Sequence, residues 1–321
     1  MRGRATALLL VLLTSVPVRA IIVRTRLARP ARGYQVRLTP FTVPPRTERE
    51  VCQAIELPDR RAFDSTTITF ASPGTQEYFS HHFALFVDDA DDLTSLPQGP
   101  TESPGCVGFG QNFGAIIGGI QSPRGSIHLP AGVGWTFQPN QVVLLDLHYV
   151  NASTSPVTVS GAVNLPRARR GTVVHHARGF QVGTTRIDVP PGEDGSATGT
   201  WIAPFPMNVV FLSTHSHRHT RSVDVDLIRA GADAGQLLQT VDWEHPTQQT
   251  LNTPLHLAAG DGFRWTCDYH NDTAKTLTFG ITSEDEMCFT IGSFYLDDDA
   301  ETLPAVPGCF GGDVALTCPG F

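Results

Sequence analysis

The 321-residue sequence is poor in charge, in lysine and in methionine. Only 17% of residues are charged and the formal net charge is −8, which argues against a nucleic-acid surface. Lys275 is the single lysine, a bias toward arginine that says nothing about function. Beyond the first 20 residues no apolar run is long enough to cross a bilayer as a helix, so no stable membrane anchor is expected. The 30 Gly and 24 Pro follow no period, which excludes a collagen-like chain, and no internal repeat stands out. The 40% apolar content fills ordinary cores, and at about 150 residues per domain the length favours two domains.

The N-terminus has three parts: a basic Met1-Arg-Gly-Arg, an apolar stretch from Ala5 to Val16, and Pro17-Val-Arg-Ala20 ending in a small residue. This is the pattern of a secretory signal over 1–20, too short in its apolar part to span a membrane. The expected location is secreted or periplasmic. Six cysteines in an exported chain suggest disulfides, and sequential pairing is the simplest of the fifteen possible schemes. Asn151-Ala-Ser and Asn271-Asp-Thr match the glycosylation sequon.

Helical periodicity is nearly absent. Short apolar or alternating runs recur between Gly, Pro, Asn and Asp, as in Thr67–Ala71, Phe83–Val87, Val142–Val150, Val157–Val163, Asn208–Leu212, Val223–Ile228, Leu277–Ile281 and Cys288–Tyr295. That spacing predicts an all-β chain with few helices, built as sandwiches. Residues 21–45 form an Arg- and Pro-rich lead-in, and Arg167-Ala-Arg-Arg-Gly-Thr reads as a boundary between one domain over 46–166 and another over 167–299. A Pro/Gly-rich tail follows over 300–321.

The twelve histidines are clustered, and neutral imidazole is the commonest protein ligand for copper, zinc and iron. In His215-Ser-His217 the two rings share one strand face and can hold one metal ion without distorting the backbone. His219 continues that parity, unless the strand has turned by then. His81 and His82 are adjacent, so both can face one site only if the strand bulges there. His148 sits in an otherwise apolar strand, where a lone histidine is more often a hydrogen-bonded core residue than a ligand. Asp146 is expected to point to the opposite face from His148. Met287, in the polar stretch Ser283-Glu-Asp-Glu-Met-Cys, is poorly placed as a core filler, and its thioether is a soft ligand suited to Cu(I). Met207, between Pro206 and Asn208 and next to Phe205, reads as packing.

Four segments in order, His81-His82-Phe, Leu145-Asp-Leu-His148-Tyr, Thr214-His215-Ser-His217 and Asp285-Glu-Met287-Cys288, resemble the copper type II, ascorbate-dependent monooxygenases. Glu50-Val-Cys52, Ile187-Asp-Val-Pro-Pro-Gly and Ala259-Gly-Asp-Gly-Phe-Arg-Trp-Thr-Cys267 add to the likeness, which covers roughly residues 45–297. The resemblance implies two tandem antiparallel, jelly-roll-like β-sandwiches with two copper ions per chain. It assigns His81, His82 and His148 to a copper that stores and passes an electron. It assigns His215, His217 and Met287 to a second copper, where O2 and a small-molecule substrate meet; ascorbate or a similar reductant would supply electrons. It also implies a Cys267–Cys288 bridge beside Met287 and a Cys52–Cys106 bridge in the first domain; another family bridge has no equivalent here, and Cys309–Cys318 stands as a local replacement.

Two positions depart from the peptide-amidating members. Ser213 stands where they hold a substrate carboxylate with Arg, and Ile291 stands where they have Tyr. A Ser cannot replace an Arg–carboxylate fork, so an apolar or aromatic substrate is expected rather than a peptidylglycine. His175 and His176, near the domain boundary, are expected as a surface or interface pair, and His219 as a hydrogen-bonding neighbour of the second site. The competing readings are a non-catalytic copper carrier or buffer, a secreted interaction module on the same scaffold, and zinc in place of copper.

Overall fold

The structure is a computed structural model that describes residues 19–88, 96–102, 115–297 and the strand Val314–Thr317. Cys106, Cys309 and Cys318 lie outside these residues. The described chain is all β, with no helix among its elements, as the turn-punctuated apolar runs predict.

Two pairs of sheets enclose two cores. In the first pair, one sheet has the strand order Thr47–Glu56, Val142–Asn151, Tyr78–Asp88, Ala115–Ile120. The other has the order Gly33–Arg37, Ala162–Pro166, Thr67–Ala71, Arg124–His128. Val51, Phe83, Leu85, Val143, Leu145 and Leu147 from the first meet Val36, Ile68, Phe70, Ile127, Val163 and Leu165 from the second in one apolar cluster. The lead-in joins this unit: Gly33–Arg37 is its edge strand, and Val36, Leu38, Phe41 and Val43 are core residues.

In the second pair, a five-stranded sheet runs Gln248–Leu257, Met207–Ser216, Cys288–Leu296, Arg178–Gly183, Val314–Thr317. It faces a four-stranded sheet of Asp194–Ile202, Gly262–His270, Thr220–Arg229 and Ala232–Thr240. Val209, Leu212, Phe180 and Phe294 of the former pack on Val223, Val225, Trp201 and Trp265 of the latter. The Cys267–Cys288 disulfide ties the two sheets together next to Met287. Cys52 is also disulfide-bonded.

A regular strand buries one side chain in two, yet Val142–Tyr149 is buried throughout. Val143, Leu145, Leu147 and Tyr149 fill the first core, while Val142, Leu144, Asp146 and His148 occupy the opposite face. That second face is covered by the other sheet pair: Ile291 packs on the cluster of Ala54, Ala84, Phe86, Ile116 and Leu144. At Gly179 the contact is backbone to backbone, because a Cβ there would lie 1.5 Å from the Ile116 carbonyl oxygen. Glycine permits that approach.

The two sequons occupy equivalent turns. Asn151 Nδ2 donates to the carbonyls of Val43, Pro44 and Ser155, and its Oδ1 accepts from Ser153 N–H and Oγ–H. Asn271 repeats this with Val189, Lys275 and Thr273. Both amides are fully buried, so neither is an acceptor for a glycan in the folded chain. Tyr149 and Tyr269, each two residues earlier, are also buried and hydroxyl-bonded to a backbone carbonyl. The spacing Tyr-x-Asn-x-Ser/Thr is thus a repeated structural device, where the sequence was read as free of repeats.

Candidate metal centre

The covered face of the first sheet presents a block of histidines to the second sheet pair. Cross-strand register places His148 opposite both Glu50 and His82. Immediately beyond that pair the register shifts, with Tyr149 opposite Ser80, so His81 is the extra residue of a β-bulge. The bulge turns two adjacent side chains to the same side, and their Nδ1 atoms lie 3.3 Å apart. From the other side, the bulge in Met207–Ser216 between Val209 and Phe211 sets Phe211 against the first core. His215 follows with that parity and meets Gln121.

Five imidazoles converge as a result. Ring centroids are 4.9 Å apart for His81 and His148, 4.8 Å for His81 and His217, and 5.4 Å for His82 and His215. His215 and His217 are 5.2 Å apart. All five are at least nine-tenths buried. The resemblance divides them as His81, His82, His148 and His215, His217, but ligand-type atoms within 4.8 Å of one another fall into other sets: His81, His82, His215, and Glu50, His82, His148. The rings therefore form one continuous cluster at the junction of the two sheet pairs. Met287 is buried, with its side chain among Phe279 and Phe289. Its link to the cluster runs through its neighbours, since His217 Nδ1–H donates to the Asp285 carbonyl and His217 N–H to Glu286.

Hydrogen bonding fixes which nitrogen of each ring carries its proton. His148 Nε2 donates to Glu48 Oε2 (3.1 Å), His82 Nε2 to Glu50 Oε1 (3.2 Å) and His215 Nδ1 to Gln121 Oε1 (2.7 Å). With His82 Nδ1 thereby an acceptor, His81 Nδ1 donates to it. The remaining nitrogens His81 Nε2, His148 Nδ1 and His217 Nε2 are buried and have no hydrogen-bond partner. A buried lone pair without a donor is costly unless a cation takes it. Burial, with some mutual repulsion, holds His81 and His215 well below the usual imidazole range and His217 at about 3. Burial also lowers His82, opposed by Glu50. Neutral imidazole is the metal-binding form, so the donor set fits a nitrogen-bound transition metal without prior loss of charge.

Acidic residues to which the resemblance assigns no role support the cluster. Glu48 also accepts from Ser283 N–H, joining the sheet pairs, and these bonds outweigh its burial to hold it at about 2. Glu286, fully buried, accepts from the backbone of His217, His219 and Met287 and from the Thr220 hydroxyl. Burial nonetheless pushes it up to about 7. Asp146 is corrected relative to the sequence reading. It lies two residues before His148 and so shares its face, with Oδ2 3.9 Å from His82 Nε2. Burial, then the Glu50 charge, raises its pKa well above the carboxylate range.

The other histidines stand apart. His219 is held by Arg218 and Asp272, His175 stacks on Tyr295, and His176 bonds Thr136. Two spaces adjoin the cluster. One, of about 560 Å³, is lined by Phe79, His81, Gln121, Trp243 and Glu244. The other, about 40 Å³ and mostly apolar, lies beside His82 and His215, with Phe83, Ile116, Phe211, Ser213 and Ile291 in its walls.

No curated protein matches the chain. Among solved structures it is similar to the STIV MCP, at 10% identity and TM-score 0.35, covering 85% of this chain and 99% of that one. It is similar to PNGase F, a glycosylasparaginase from Flavobacterium meningosepticum, at 10% identity and TM-score 0.35, with coverage of 82% and 95%. The major capsid protein P2 of bacteriophage PM2 aligns at 8% identity and TM-score 0.31, with coverage of 79% and 99%. Likenesses of this size carry no argument. Residues 196–306, which contain His215, His217 and Met287, match the model of the copper type II ascorbate-dependent monooxygenase C-terminal domain, so this segment is similar to that family.

Proposed function

We propose that the protein is an exported copper-dependent monooxygenase that hydroxylates a C–H bond of an apolar or aromatic small molecule, using O2 and an ascorbate-type reductant. The observation that carries this reading is the convergence of five buried imidazoles, three with unpartnered ring nitrogens, at the seam between two sheet pairs. His81, His82 and His148 would hold one copper, and His215, His217 and Met287 the other. Copper, when bound, supplies the one-electron and dioxygen chemistry that no side chain can perform.

The chain's own contribution is orientation and exclusion of water. Glu48, Gln121 and the Asp285 carbonyl each hold a proton on the far nitrogen of a histidine, which fixes the ring and leaves the other nitrogen as the donor. Glu286 gathers the backbone around His217 and Met287, and the Cys267–Cys288 bridge anchors the strand that follows. Phe83, Ile116, Phe211 and Ile291 keep the space beside His215 apolar. Ser213 gives its hydroxyl to the Thr247 carbonyl and offers no anchor for a substrate carboxylate.

The test is ascorbate-supported turnover under 18O2 with a panel of aromatic and aliphatic compounds and a peptidylglycine. One labelled oxygen in an alcohol product, lost in His217→Ala, is expected. A protein that binds copper tightly but consumes no O2 with any compound would be a carrier instead. Turnover of the peptidylglycine would overturn the substrate assignment.

A further inference from the structure

Glu50 opens the Glu50-Val-Cys52 segment, to which the resemblance assigns no ligand, and the sheet places it in the histidine cluster by register. His148 is paired with Glu50 on one neighbouring strand and with His82 on the other. The three residues therefore form a single row across three adjacent strands, all on the covered face. Such a row is rigid: each backbone is locked in the ladder on which its side chain stands. One ligand-type atom from each of Glu50, His82 and His148 lies within 4.8 Å of the other two, and all three residues are buried.

The next row on that face is Cys52, Asp146 and Ala84. Asp146 is 1% exposed, and its carboxyl meets that of Glu50. Its Oδ2 points toward His82 Nε2 at 3.9 Å, the same nitrogen that meets Glu50 Oε1 at 3.2 Å. Two carboxyl groups thus converge on one imidazole nitrogen in a buried corner. Burying such groups is costly unless a positive charge is placed among them. A divalent ion between His82 Nε2 and Glu50, with the His82 proton moved to Nδ1 and the hydrogen bond to His81 Nδ1 reversed, would supply that charge.

We propose that Glu50, His82 and His148 form a two-histidine, one-carboxylate site for a divalent transition-metal ion, with Glu50 a direct ligand. The proposal rests on the reading of His82 and His148 as metal ligands and changes the character of that centre. A carboxylate is a hard donor, so this site favours Cu(II), whereas the thioether assigned to the other centre favours Cu(I). Asp146 is a positioning residue that faces the ligand pair.

The experiment is pulsed electron paramagnetic resonance on Cu(II)-loaded full-length protein carrying 13C-labelled glutamate. The expected result is a 13C coupling from a copper-bound carboxylate that disappears in Glu50→Gln. The Cu(II) affinity of that variant should fall on the order of tenfold or more, with Cu(I) affinity much less affected. Glu50→Asp keeps the charge but carries no label, so it should lose the 13C signal while retaining tighter Cu(II) binding than Glu50→Gln. It serves in place of Glu50→Gln should that variant not fold. A protein that binds two coppers with no glutamate coupling, and with Cu(II) affinity unchanged in either variant, would overturn the proposal and make Glu50 only an orienting partner of His82. The copper reading would survive that result. A wild-type protein that binds no copper would overturn both.

Discussion

Acid should unfold the metal-free protein far more readily than its modest net charge suggests. His81, His82, His215 and His217 are buried neutral, with pKa values lowered from the ordinary 6.5, to about 3 for His217. Below pH 6.5 the unfolded chain binds protons at these rings and the folded chain does not, so stability falls with pH. Each ring contributes a slope of about 1.4 kcal/mol per pH unit. Asp146 and Glu286 act in the opposite sense, because their folded pKa values are raised, Glu286 to about 7. Above their unfolded values, near pH 4, the folded state holds the extra proton, and lowering the pH favours folding. Between pH 6.5 and 4.5 His217, at about 3, and Glu286, at about 7, have opposite slopes of about 1.4 kcal/mol per unit that cancel, so the sign is set by His81, His82 and His215 against Asp146. Three rings against one carboxyl leave a net loss of stability with acid. Below pH 4.5 the opposing carboxylates are protonated in both states, and the decline steepens. Urea unfolding of metal-stripped protein at several pH values from 7.5 to 4.5, followed by tryptophan fluorescence, measures this directly. A midpoint that holds steady or rises with acid would show that these imidazoles are not buried as neutral rings.

Other perturbations separate structure from metal binding. Gly179→Ala sets a Cβ against the Ile116 carbonyl, and the overpacked seam should lose about 1–3 kcal/mol or more by thermal denaturation, while Gly99→Ala, with open space around it, should not. Gln121→Leu removes the acceptor from His215 and the donor to the Trp243 carbonyl. Copper affinity should drop about 10–100-fold with the fold retained by circular dichroism. Met287→Leu preserves volume between Phe279 and Phe289 and should cost less than about 1.5 kcal/mol, yet weaken Cu(I) binding in a competition titration with a chromogenic chelator. Asn271→Ala deletes the amide that bonds Val189, Lys275 and Thr273, and should lower the melting temperature without altering copper content.

What the sequence makes legible is parity and order. The alternation in Val142–Val150 identifies a strand, and the i, i+2 spacing of His215 and His217 is carried by one strand and its end. The same rule puts Asp146 on the face of His148, so its misplacement came from misapplied spacing and not from an absent signal. The bulge at His81 is implied by two adjacent histidines but is fixed only by the partner register across Val142–Asn151. Glu50, Glu48 and Gln121 are a different matter. They come from other strands or, for Gln121, from the bend after Ala115–Ile120, at sequence separations that no local pattern connects, and only sheet order brings them to the histidines. The regrouping of the five rings has the same origin. A motif assigns ligands by segment, whereas packing of one sheet pair on the other decides which nitrogens meet. The sequons are a further case, in which identical local letters serve a buried turn.

The most direct test of the account is native mass spectrometry of the mature chain after anaerobic loading with copper and ascorbate, beside a variant in which His81 and His217 are both Ala. The account predicts two copper ions on the wild-type chain and fewer on the variant, with the disulfides intact. A wild-type chain that retains no copper, or that takes up zinc in preference and keeps it in the variant, would contradict it.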